Sequence, residues 1–184
     1  MKYIIEAPLT EKKARELRAG NVVSINGTIY TARDAAHKKM VSLVQEGKPL
    51  PFDIRDQIIY YVGPCPAKPG EVIGSAGPTT SSRMDAYAPC LIELGLKGMI
   101  GKGLRSEAVV DAMKSCGAVY FGAIGGAGAL IAKSIVAEEL IAFPELGTEA
   151  IRKLTVKDFP AIVIIDSYGN NLYKAGREKY QIVS

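Results

Sequence analysis

The segment Gly77–Asp85, GPTTSSRMD, sets the hydroxyls of Thr79, Thr80, Ser81 and Ser82 beside the guanidinium of Arg83. Its spacing predicts a turn at Gly77-Pro78 between a strand over Val72–Ser75 and a helix over Ser82–Leu94. Hydroxyls, unpaired backbone amides and the positive end of a helix then converge on one point. Such a point holds a carboxylate or a phosphate, and Arg83 adds a fixed cationic fork. Capping alone needs one hydroxyl, so the cluster exceeds that purpose. Two further cations stand at places where a strand gives way to a turn. Arg33 opens Arg33-Asp34-Ala35-Ala36-His37, and Lys102 sits between Gly101 and Gly103. Taken alone, the first reads as a surface Arg33–Asp34 pair with His37 an ordinary helix residue. The second, alone, reads as a solvated lysine in a tight turn, although glycines on both sides let backbone approach closely.

Other chemistries are narrowed by what is scarce. With a single histidine, His37, there is no His-His zinc site, and any Ser-His-Asp triad would depend on that one residue. The three cysteines, Cys65, Cys90 and Cys116, are spaced by 25 and 26 residues. That lacks the short Cys-x-x-Cys spacing of a cluster or zinc motif, and the odd count fits a reducing compartment. The run Gly122–Gly128 has Ile131 where a dinucleotide loop needs its third glycine, and no acidic residue ends a following strand at the right distance. It reads as a glycine turn for close packing or backbone contact to a ligand.

The elements that must position these groups follow from patterning. Apolar residues make up 48% of the chain and charged residues 23%, an ordinary globular balance. The length of 184 residues suits a single domain, 1–184. A net charge of +4, scattered, with few aromatics, does not point to nucleic acid but suits small anions. Residues 115–132 carry no charge, yet their glycines read as strand, turn and helix start rather than a membrane span. The N-terminus has no apolar signal region, so a cytoplasmic location is expected. Strands are predicted at Met1–Glu6, Gln57–Val62, Val72–Ser75, Met99–Ile100, Ala118–Phe121, Ala161–Asp166 and Leu172–Tyr173. Asn21–Ile25 and Thr28–Thr31 form a predicted hairpin about Asn26-Gly27. Helices are predicted at Glu11–Arg18, Ala32–Glu46, Ser82–Leu94, Ser106–Ser115 and Ala127–Leu140. The proline-rich stretch Gly63–Gly70 must be loop. The sum is an α/β fold with a mixed or parallel sheet flanked by helices, whose ligand site belongs at the carboxyl ends of strands.

GPTTSSRMD, with RDAAH before it and GKG, FGAIGGAGAL and FPELG…DFPAIVIIDSYGN after it, resembles the β subunit of class I iron–sulfur fumarate hydratases and L(+)-tartrate dehydratases. In single-chain members the same segment is the C-terminal domain. The resemblance runs most strongly from Gly63 to Asn171. It implies a swivelling β/β/α domain and a heteromeric hydro-lyase that adds water reversibly across the double bond of a C4 dicarboxylate. It further implies that a partner α subunit holds a 4Fe–4S cluster on its own cysteines. This chain then carries no metal ligand, and Cys65, Cys90 and Cys116 are not ligands. Carried over residue by residue, substrate binding falls on Arg33, Thr79, Arg83 and Lys102, with Thr79 as the catalytic group exchanging the C–H proton. A free hydroxyl is a weak base and needs activation by a neighbouring cation or anionic relay. The cations also make sense on their own, because charge-assisted bonds contribute roughly 1.5–3 kcal/mol each toward holding a dianion. Fumarate to malate is the expected reaction and tartrate dehydration the alternative. A stand-alone anion-binding module is the rival. On this chain alone the site is expected to be half-built and open to water.

Overall fold

The computed structural model describes residues 2–124 and 126–180. Met1 of the first predicted strand and Gly125 of the glycine turn lie outside them. In chain order the elements are β1 (Lys2–Glu6), α1 (Glu11–Glu16), β2 (Val22–Thr31), α2 (Asp34–Gln45), β3 (Ile58–Tyr60), a 3-10 turn (Ser81–Met84), α3 (Ala88–Glu93), β4 (Gly98–Gly101), α4 (Glu107–Cys116), β5 (Val119–Gly122), α5 (Gly128–Ala132), β6 (Ile135–Ala142), a second 3-10 turn (Pro144–Glu149), β7 (Ile151–Ile165) and α6 (Leu172–Tyr180).

The sheet runs β1-β2-β3-β4-β5-β7-β6, and β2 also pairs with β7, so it closes into a barrel flanked by helices. β1 through β5 pair in parallel, whereas β7 is antiparallel to β2, β5 and β6. Two apolar clusters lie on opposite faces of the central strands. Ile58, Tyr60, Ile100, Val119 and Phe121 enter one with residues of β2 and β7. Their neighbours Ile59, Tyr61, Met99 and Tyr120 enter the other, against α2, α3 and α4. Strands buried on both faces read as continuous apolar runs, which is why the alternation is silent in the sequence.

Several expectations about elements change. Asn26-Gly27 is no hairpin turn: β2 runs straight through it. Gly27 takes φ +96°, the register against β7 shifts between Ile25 and Gly27, and the pair forms a bulge. A Cβ on Gly27 would come within 2.8 Å of the Ala7 carbonyl oxygen. The Asn26 side chain bridges the neighbouring strands, donating to Glu6 at 3.0 Å and accepting from the Asp158 amide at 2.8 Å. Val72–Ser75 makes no strand in the sheet, because it pairs with the proline-rich loop through Cys65 N to Ser75 O at 2.9 Å and Gly74 N to Cys65 O at 3.1 Å. The predicted Ser82–Leu94 helix breaks into a 3-10 turn and α3, which restarts with Pro89 in its first turn, where no amide is needed. Ala127–Leu140 is a short helix followed by β6, since pairing with β7 overrides helix propensity. The final strand is α6 instead, with Asn171 Oδ1 accepting the Tyr173 amide at 3.0 Å at its start. The starts of α1 and α4 are where the sequence put them, whereas α1 stops at Glu16, short of the predicted Arg18. Thr10 and Ser106 accept from Lys13 N and Val109 N, and Gly117 closes α4 at φ +69°.

Candidate functional site

The parallel strands β2, β3 and β4 end together, and the loops leaving them bring the four site residues of the sequence reading into one neighbourhood. Arg33 follows β2, at the start of α2. Thr79 belongs to the loop leaving β3 and is pinned through its amide to the Tyr61 carbonyl at 2.7 Å. Lys102 follows β4. Thr80 forms a parallel bridge with it, and the Ser81 amide donates to the Lys102 carbonyl at 2.9 Å. The segment 79–81 thus lies as a strand stub across the ends of β3 and β4. Two glycines make this possible. Gly103 turns the chain at φ +83°, and a Cβ on Gly101 would overlap the Ser81 hydroxyl and reach within 3.0 Å of the Tyr61 ring.

The hydroxyls do not all face outward. Thr80 and Ser82 are exposed and Thr79 is half-buried, but Ser81 is fully buried, bonded to the Tyr120 hydroxyl at 2.9 Å. The helix behind them is a single 3-10 turn, Ser81–Met84. The expected pull of a long helix end is therefore replaced by the side-chain cations.

Those cations are not bare. Arg83 Nη2 meets Asp34 Oδ2 at 2.9 Å, and Arg33 Nε lies 3.1 Å from Glu149 Oε1 and 3.8 Å from Asp34 Oδ1. Asp34 therefore stands between the two arginines instead of forming a private pair with its neighbour. Burial raises its carboxyl pKa, but its own backbone bond and the Arg83 and Arg33 charges outweigh this and hold it below the ordinary range. Arg33 Nε, Asp34 Oδ1 and Glu149 Oε1 are buried yet lack an aligned hydrogen bond, so charge meets charge here without full satisfaction. Gly63 makes room for Arg33: a Cβ there would sit 3.0 Å from Nη1. Among the described residues Lys102 makes no ion pair. It and Arg83, whose side chain is 49% exposed, leave this face of the site open to solvent.

His37 is a core residue. Its Nδ1 lies 2.8 Å from the Arg33 carbonyl, which fixes Nδ1 as the donor, and its ring meets Tyr61 edge-on at 5.2 Å. Nε2 is buried without a partner. Burial first, with the Arg105 charge adding to it, pushes its pKa down to about 4, and the bond to the Arg33 carbonyl opposes this only in part.

Sequence reasoning missed the supporting frame. Arg105, whose side chain is fully buried, bonds Asp85 through Nε at 2.7 Å and lies over the Tyr61 and Tyr120 rings at 5.3 and 5.0 Å. Asp85 also accepts the Ser106 amide at 2.6 Å. Asp85 ends the GPTTSSRMD motif and was visible there, but nothing local marks Arg105 as buried. The glycine turn after β5 serves packing. Ala76 N donates to Gly128 O at 3.1 Å, and a Cβ on Gly128 would come within 2.8 Å of Gly77 N.

No set of three His, Cys, Asp or Glu side chains able to hold a metal ion occurs among the described residues. Cys65 is exposed in the proline-rich loop, whereas Cys90 and Cys116 are half-buried on α3 and at the end of α4. These do not fit a cluster site. Among the described residues no helix is long and apolar enough to cross a membrane.

The profile of the family described as the fumarase C-terminus matches residues 2–176. The chain is 45% identical over 154 residues to the aerobic class I fumarate hydratase of Escherichia coli, covering 83% of this chain and 28% of that one. It is 44% identical over 156 residues to fumarate hydratase 2 of Leishmania major, covering 84% and 28%. A Methanocaldococcus jannaschii protein provisionally named L(+)-tartrate dehydratase subunit beta is 39% identical over 177 residues, covering 93% of this chain and 91% of that one. The chain thus spans little more than a quarter of the length of these fumarate hydratases and nearly all of the archaeal protein.

Proposed function

Because the chain belongs to the fumarase C-terminus family, we propose that it supplies one half of a hydro-lyase active site, interconverting fumarate and malate by addition of water. The observation that carries this reading is the convergence of Thr79, Arg83 and Lys102, with Arg33 tied in through Asp34, at the carboxyl ends of parallel strands. In this reading Arg83 and Lys102 bind substrate carboxylate oxygens, and Arg33 steadies the far side of the site. Thr79 exchanges the proton on the carbon next to a carboxylate, with Lys102 as the neighbouring cation a weakly basic hydroxyl requires. The same cations stabilise the dianionic aci-carboxylate that proton loss creates. Asp34 and Glu149 offset two of the three positive charges, so the substrate meets a local excess of about one rather than three, a value that follows from simple charge counting.

The reading has further parts. The chain is a single domain of swivelling β/β/α type, it works in the cytoplasm, and it docks onto an α subunit that completes the site as a hetero-oligomer. A 4Fe–4S cluster belongs on that partner, because the residues here do not fit one, and no step on this chain is routed through it. The near full-length match to the archaeal protein supports tartrate as the second substrate to test.

The experiment is co-expression with a cluster-bearing α partner, anaerobic purification, and fumarate and tartrate assays side by side. The pair is expected to turn over a C4 dicarboxylate while the chain alone does not. A loaded pair that turns over neither refutes the hydro-lyase reading. Anion binding by the chain without turnover by the pair would assign it as a binding module.

A further inference from the structure

Tyr120 is fully buried on β5, in the middle of the apolar layer between the sheet and its helices. Phenylalanine would fill the same space without the cost of burying a hydroxyl. The hydroxyl has two partners, the Ser81 hydroxyl at 2.9 Å and the Gly103 carbonyl at 2.9 Å. A carbonyl only accepts, so Tyr120 donates to Gly103 and accepts from Ser81. Burial raises its pKa, against smaller opposing effects of the Ser81 bond and the Arg105 charge, so the donor proton stays in place. Ser81 belongs to the turn that carries Thr79 and Arg83, and Gly103 to the turn that carries Lys102. One oxygen atom therefore ties the two loops together from below.

Resting on the hydro-lyase reading, we propose that Tyr120 is a positioning residue whose hydroxyl sets the spacing between the Thr79–Arg83 turn and the Lys102 turn. Two observations support the tie. The Ser81 amide also donates to the Lys102 carbonyl at 2.9 Å, so the hydroxyl and the backbone bond join the same two turns. Arg105, over the Tyr120 ring at 5.0 Å, secures the far end of the same motif through Asp85. Stacking by Arg105 fixes the ring, and the fixed ring aims its hydroxyl.

The test is Tyr120→Phe in the loaded enzyme, which deletes one atom and keeps the ring. Loss of one buried bond predicts a fall in kcat/KM of about tenfold at a temperature where the variant is fully folded. The fall should be carried mainly by kcat, because Thr79 is misplaced while the cations remain. Ser81→Ala should produce a similar loss, and the double variant should lose no more than either single one, since both break one connection. A purely structural tyrosine would lower the melting temperature and leave kcat and KM of the folded enzyme unchanged, and that result overturns the proposal. Losses that multiply in the double variant also overturn it. Hydrogen exchange at the Ser81 amide gives a reading independent of turnover. Exchange about tenfold faster in Tyr120→Phe supports the latch even if the hydro-lyase reading fails, and unchanged exchange refutes it whatever the activity.

Discussion

Because His37 is the only histidine, the pH dependence of stability around neutrality should report one buried ring. In the folded protein burial has pushed its pKa from the ordinary 6.5 down to about 4. Above pH 6.5 the ring is neutral in both states and the folded state loses nothing. As the pH falls below 6.5 the unfolded chain takes up a proton that the folded chain refuses, so stability drops and keeps dropping until about pH 4. Each unit between those limits is worth at most about 1.4 kcal/mol, and the loss between pH 7 and pH 5 works out to about 2 kcal/mol. At this chain length that lowers Tm by roughly 4–8 °C. Few other groups intrude. Glu11, held down by bonds to Arg15 and Lys97, and Glu145, held down by Lys39, have pKa values below 4.5. Asp34 lies below 3.8, where its own backbone bond and the arginine charges outweigh the effect of burial. Depressed carboxylates stabilise the fold above their unfolded pKa and withdraw that support only in more acid solution. The assay is thermal unfolding of wild type and His37→Asn at half-unit steps from pH 7.5 to 5. The variant is expected to be less stable at pH 7 but nearly flat across the range. Parallel slopes in the two proteins would refute the reasoning, because the titrating group would then be something other than a ring with Nε2 unpartnered.

The remaining expectations concern the site itself. Gly101→Ala drives a methyl into the Ser81 hydroxyl and the Tyr61 ring. It should cost about 1–3 kcal/mol by thermal or denaturant unfolding, and adding Ser81→Ala should restore part of that loss. In the loaded enzyme Thr79→Ala should lower kcat more than it raises KM, whereas Arg83→Ala should impair both, because a clamp holds ground state and transition state alike. Steady-state kinetics on both variants checks this, and equal wild-type activity in the two would remove them from the site. Asp34→Asn takes one negative charge from beside Arg83. The pair is partly exposed, so stability should change by less than about 1 kcal/mol, while KM for a dicarboxylate falls. A higher KM would mean that Asp34 serves mainly to aim the arginines.

What was legible in the sequence was local. The starts of α1 and α4 behind Thr10 and Ser106 and the strands of apolar run Gln57–Val62 and Ala118–Phe121 are written in short-range chemistry, and they appear where expected. The hairpin at Asn26-Gly27 failed because a two-residue turn and a bulge ask for the same residues. Only the arrival of β7, more than a hundred residues later, decides between them. The Ala127–Leu140 helix failed for the same reason, since β6 is a strand only because β7 offers it an edge. At the site, the motif residues were legible because their types are unusual at that density. Their partners were less so: Asp34 was legible only as a neighbour of Arg33, not of Arg83, and Glu149, Arg105 and Tyr120 are ordinary residues until folding sets them beside Arg33, Asp85 and Ser81.

The closure of the sheet has a consequence for how the protein is made. β2 is complete by Thr31, yet one of its edges is filled only by β7, which begins at Ile151. A ribosome adding roughly 5–20 residues per second leaves that edge unpaired for many seconds. During that time β2 is an open template for any other strand. Charged Asp158 and Pro160 lie on β7 itself, so they keep the arriving strand, not the waiting one, from pairing elsewhere. A sheet joined last through its most distant strands also makes folding slow compared with a helical protein of equal size. Yield in fast bacterial expression should therefore depend more on temperature than on the intrinsic stability of the finished barrel.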